Sequence, residues 1–138
     1  MRDSNYPMAV ERPVEEARRY VRNAKKTIRE NVGYDPEIDC YDDPKYIRAA
    51  GHYLWHAVLI MLDAVFHVKG PQQLHPDIND YLKAVSQRDR KLLSLVHDAY
   101  TINHIYLGYD GVQRKGIFLN GIKITNDIID RCATMLGN

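Results

Sequence analysis

Val14, Ala17, Val21, Ala24 and Ile28 follow one another at intervals of three, four, three and four residues. Only an α-helix gathers such a series into one apolar stripe. Pro13 stands where a first helical position belongs, with Glu15 and Glu16 in the first turn, and Gly33 supplies a stop. The spacing predicts a helix from about residue 13 to 31. The same period returns further along the chain and points throughout to a helical fold.

The stretch "GYDPEIDCYDDPKY" is rich in Asp, Pro and Gly and reads as a loop. Asp43 is placed to cap the next helix, with Pro44 at its first position. Ile47, Gly51, Leu54, Val58, Met61, Leu62 and Val65 form one face of this second helix. Gly70-Pro71 cannot continue it, so its end is expected near Lys69. Gly51 sits mid-helix, where it costs roughly 1 kcal/mol against Ala. A neighbouring helix crossing closely there would offset that cost. Asp77 is placed to cap a short helix carrying Ile78, Tyr81, Leu82 and Val85. "SQRD" at 86–89 has the form of a capping box with Asp in the Glu position, which predicts a bend or a new start.

Leu92, Leu95, Val96, Ala99, Ile102, Asn103 and Tyr106 mark a further helix. Asn103 is a polar residue on an apolar stripe, so it should be hydrogen-bonded inside. After the loop "GYDGVQRKG", the residues Gly121, Ile124, Ile128, Ile129 and Met135 mark a C-terminal helix. Strand signals and fixed-period repeats are absent. The expectation is an all-α fold, a single-domain helical bundle of four long helices plus one short helix. It would span residues 1–138, with residues 1–11 as a flexible N-terminal arm.

Composition narrows the functional classes. The 138 residues suffice for one domain with a real core. A net charge of +1 gives no overall field toward nucleic acid or membrane, so such binding needs a local patch. The two cysteines, Cys40 and Cys132, do not make a disulfide framework and fit a cytoplasmic protein with reduced thiols. The N-terminus has no signal-peptide core, and the longest apolar run, "AVLIML", is far short of a membrane span. No cofactor motif or zinc spacing is present.

The motif order is "EEARRYVRNAKKTI", an acidic loop, "YDDPKYIRAAGHYLWHAVLIMLDAV", then "YLKAVSQRDRKLLSLVHDAYTINHIYLGYDG" and "GIKITNDII". This order resembles a HEPN-type helical bundle, and more narrowly a small uncharacterised bacterial family of that shape. The resemblance implies a homodimer built through helix faces. It also implies one of two roles. One is a non-catalytic module that binds RNA, a nucleotide or a protein partner. The other is a metal-independent endoribonuclease, toxin-like, that uses an Arg–x4–6–His motif across a dimer cleft. Arg90 and His97 match the longest form of that motif. Active members carry Asn, His or Asp after the Arg, whereas Lys91 stands here. The non-catalytic role is therefore the expectation.

Three groups of candidate residues follow. Arg90 and His97 lie within about 20° of each other on one helix face, with His104 continuing the line. As a catalytic pair, His97 would be the general base and Arg90 would stabilise phosphorane charge. As ordinary residues they form a wet or interfacial face. On the second helix, Arg48, His52, His56, Asp63 and His67 share one side. His52 and His56 have the i, i+4 spacing of metal ligands, but Asp63 lies about 10 Å beyond His56, too far for one metal ion. No metal site is expected, and the group reads as a polar or binding face. Trp55, Leu59 and Ile60 flank it, which favours a dimer interface or burial by the connection that follows the helix. On the first helix, Arg18, Arg22, Lys25 and Arg29 form a basic row that would suit phosphates. Glu15 is placed to pair with Arg18 and Arg19. The tyrosines, ten in all, are expected mainly as structural anchors.

Overall fold

The computed structural model describes residues 12–70 and 76–137. The arm expected at 1–11 lies outside the described residues. The described chain is an all-α bundle in the order α1 (Pro13–Asn31), α2 (Pro44–Phe66), α3 (Ile78–Ser86), α4 (Arg90–Ala99) and α5 (Lys115–Met135). A π-helical segment, Tyr100–Tyr109, continues α4 without a break.

Helix α1 begins at Pro13 and buries Ala17, Val21, Ala24 and Ile28, as the spacing predicts. It ends in extended backbone at Val32, not in a glycine turn at Gly33. The Gly33 N–H instead donates to Asp42 Oδ1 at 3.0 Å. That bond helps close a two-stranded antiparallel hairpin, β1 (Tyr34–Asp35) and β2 (Cys40–Tyr41), where the sequence signals only a loop. Strands of two residues leave no period to read. The hairpin is held from outside: Tyr41 N–H donates to Gln113 O, and Gln113 Nε2 donates to Tyr41 O, both at 2.8 Å.

Helix α2 is the centre of the bundle. Asp43 accepts from Lys45 N–H and caps it. All seven residues of its predicted face are buried, along with Ala50, Ala57 and Ile60. It packs against α1, the π-helical segment and α5. It ends at Phe66 and not near Lys69, because His67 turns left-handed (φ 51°) and its N–H closes on Asp63 O. By length and composition α2 passes for a membrane span, but half of the window that does so is buried inside the chain.

Asp77 caps α3 in a reciprocal capping box with Asp80. The new start after α3 is real, but its cap is Asp89 and not Ser86. Asp89 Oδ1 accepts from Leu92 N–H at 3.0 Å, while Ser86 Oγ donates back to Lys83 O. The predicted stripe of the next helix holds through Leu92, Val96 and Ala99 and then changes phase. In the π-helical segment hydrogen bonds span five residues, as from Asp110 N–H to Ile105 O at 2.8 Å. The wider turn buries Asn103, Leu107 and Gly108 and leaves Tyr106 exposed, against its expected place on the apolar stripe.

Asn103 is fully buried and donates from Nδ2 to Thr125 Oγ1 at 2.8 Å, and that hydroxyl donates to Gly121 O at 2.7 Å. The close crossing expected at Gly51 is also present. A Cβ on Gly51 would lie 2.7 Å from Leu107 Cβ and 2.8 Å from Asn103 O, and would press on the Gly108 backbone nitrogen.

Candidate functional site

The side of α2 turned away from the core carries Arg48, His52, Trp55, His56, Leu59 and Asp63, with His67 in the left-handed turn that ends the helix. Intervals of three, four and seven keep them on one ridge. Arg48, His52, His56 and His67 are exposed, while Trp55, Leu59 and Asp63 are half-buried. The π-helical segment and α1 flank this ridge on either side.

On the π-helical side, the Trp55 ring meets Tyr100 edge-on at 5.6 Å and His104 at 5.8 Å, and Tyr100 and His104 lie 5.1 Å apart. On the α1 side, Tyr20 lies 4.7 Å from the His56 ring and 5.9 Å from Tyr53. Arg48 Nε donates to Tyr109 O at 3.3 Å, which ties one end of the ridge to the end of the π-helical segment. At the other end Asp63 Oδ1 accepts from the Tyr81 hydroxyl of α3 at 2.8 Å.

This surface shifts its own titrations. Burial pushes the Asp63 carboxyl above the ordinary carboxylate range, against the opposing pull of Tyr81, His56 and His67. Burial, and next the neighbouring His52, hold His104 below the ordinary histidine value. Its Nδ1 has no hydrogen-bond partner among the described residues. The surface is thus aromatic and bounded by Arg48 at one end and Asp63 at the other.

The other candidates lie apart from it or are partly neutralised. Arg90 and His97 are exposed on α4, and neither side chain has a hydrogen bond or ion pair among the described residues. An open groove of about 550 Å³ runs between α4 and α5, lined by Asp89, Lys91, Leu95, Asp127, Arg131 and Met135 among others. Most of its charges are paired: Arg131 makes two hydrogen bonds to Asp89, at 2.8 and 2.9 Å, and Lys123 from outside the groove pairs with Asp127. In the basic row of α1, Arg18 is taken by Asp130 of α5 at 2.6 Å. Glu16, not Glu15, pairs with Arg19, while Glu15 pairs with Arg12. Arg22, Lys25 and Arg29 remain exposed, with Lys26 beside them. Among the described residues no three His, Cys, Asp or Glu side chains gather in metal-ligating geometry.

The sequence singles out Arg48, His52 and His56 on this ridge and flags Trp55. It does not reveal that Tyr20, Tyr100 and His104 complete the surface. The one available signal was His104, in line with Arg90 and His97 at α-helical spacing, and the π-helical turn brings it to Trp55 instead.

Comparison with known proteins gives a fold neighbour and a family. Curated proteins offer no match to the chain. Among solved structures, a protein of unknown function from Dyadobacter fermentans is similar over 94% of this chain and 99% of its own, with a TM-score of 0.81 and 30% sequence identity. The family described as "Domain of unknown function (DUF5618)" matches residues 12–134, nearly the whole chain, and the protein belongs to it.

Proposed function

We propose that this protein is a non-catalytic, HEPN-like binding module of the cytoplasm, and that its working surface is the outer ridge of α2. The observation that carries the reading is the cluster of Trp55, Tyr100 and His104, half-buried at the surface of the central helix. Rigid aromatic side chains with a polar edge are the usual anchors of protein interfaces, because they bury much area for little lost side-chain entropy. Arg48, His52 and His56 border the anchor and serve as its polar rim.

The alternative is a metal-independent ribonuclease in which Arg90 and His97 of two copies converge. Within one chain both side chains are exposed, and among the described residues neither has a hydrogen-bond or ion-pair partner to orient a general base. The exposed Arg22, Lys25 and Arg29 would suit RNA or a nucleotide as a secondary ligand.

The deciding experiment is an RNA-cleavage assay in chelator, on wild type and on His97→Ala. The module reading expects no cleavage by either. Cleavage by the wild type that His97→Ala abolishes would overturn it.

A further inference from the structure

We infer that the occupant of the α2 ridge is a second copy of this chain, docked antiparallel about a two-fold axis that passes between Trp55 and His56. The inference rests on the module reading above and adds the partner and its geometry.

The ridge is complementary to itself when reversed. Arg48 lies seven residues before Trp55, and Asp63 lies seven residues after His56. From Arg48 to Asp63 the ridge spans about 22 Å along the helix. A two-fold axis at its midpoint brings Arg48 of one copy to Asp63 of the other, twice, since an isologous contact repeats every pairing. The same axis sets His52 opposite Leu59, and Trp55 opposite His56 of the second copy. No like charges on the ridge meet in this arrangement. In the parallel arrangement, Arg48 would face Arg48 and Asp63 would face Asp63.

Both ends are prepared for such a contact. Arg48 is held by a carbonyl, Tyr109 O, and has no carboxylate partner among the described residues. Its guanidinium therefore keeps donors for a carboxylate. Asp63 is half-buried, and the Tyr81 hydroxyl fixes its direction. Between them the ridge carries Trp55 and Leu59, both half-buried, with His52 and His56 exposed. A second α2 laid along the ridge would cover what remains accessible of Trp55 and Leu59.

Trp55 is the sole tryptophan of the chain, so its emission reports this contact directly. The experiment measures molar mass and tryptophan emission of the full chain over a dilution series. It then repeats the series for Arg48→Glu and for Arg48→Glu combined with Asp63→Arg. The expected result is a dimer whose Trp55 emission moves to shorter wavelength over the same range in which the mass doubles. Arg48→Glu should weaken the dimer by about tenfold or more, since it sets like charges against each other at two symmetric sites. The double reversal should recover most of the loss.

Asp63→Arg risks misfolding because its site is half-buried, and the wild-type emission then decides alone. A dimer whose emission does not change with mass overturns the inference. So does a folded double variant as weak as Arg48→Glu. A chain that stays monomeric at every concentration overturns the second-copy assignment while leaving the module reading to another occupant. Cleavage that depends on His97 would instead overturn the module reading and leave the dimer geometry standing.

Discussion

Gly51 of α2 lies directly on the backbone of Gly108 at the far end of the π-helical segment. Neither residue has a Cβ, and this lets two elements approach closely enough for Trp55 to meet Tyr100 and His104 just along the helix. The contact holds the candidate surface together from beneath.

Replacing Gly51 by Ala should therefore reverse the usual helix preference. On propensity alone Ala gains roughly 1 kcal/mol in a helix interior. Here the added methyl meets backbone and Leu107 Cβ, which cannot swing away. A net loss of about 1–3 kcal/mol is expected, as for other overpacked cores. Chemical denaturation of Gly51→Ala measures it, and a variant as stable as wild type would show that the crossing is loose.

Asp89 joins α4 to α5 by capping one helix and binding Arg131 of the other. Asp89→Ala should cost about 1 kcal/mol for the lost cap, and Asp89→Ser should recover part of it. The Arg131 guanidinium holds the Asp89 carboxyl below its ordinary value. Its contribution is thus present above the unfolded carboxylate value and is lost as pH falls through the lowered one. Thermal melts of the two variants at neutral and acid pH separate the cap from the ion pair.

Asp63 has the opposite sign. Burial raises its folded value above the unfolded one, so the folded chain holds the proton more tightly. Stability should then decline as pH rises through the interval between the two values and stay level above it. Asp63→Asn keeps an acceptor for the Tyr81 hydroxyl and removes the buried charge. At concentrations too low for two copies to pair, it should melt higher than wild type at neutral pH and lose that advantage in acid. Equal Tm values at neutral pH would contradict the account.

His104 gives a third pH signature. Its folded value lies below the ordinary histidine value, chiefly through burial and also through His52. Stability should fall as pH drops from the unfolded value toward the lowered one, because protonation favours the unfolded chain. His104→Gln should flatten that part of the stability profile. A slope that survives the substitution would assign it to another group.

The helical fold is legible in the sequence because each long helix repeats its apolar stripe at a period no other structure satisfies. Pro13, Asp43 and Asp77 mark the starts, and Gly51 and Asn103 announce a close crossing and a buried bond that are both present. What escaped was local. The hairpin is too short for a period, and His67 ends α2 through a left-handed turn that favours glycine and gives no clear signal at a histidine. The π-helical segment looks like α-helix in its residue types, and its wider turn moved Tyr106 outward and Leu107 inward. The candidate surface was half-visible: α2 supplied its ridge, but Tyr20, Tyr100 and His104 reach it through the fold.

The central claim is that the outer ridge of α2 is where this protein binds. Light scattering coupled to size-exclusion chromatography, comparing wild type with Trp55→Lys, tests it most directly. The account predicts a wild-type dimer and a Trp55→Lys monomer with unchanged helical circular dichroism. A Trp55→Lys variant that assembles as well as wild type would contradict it.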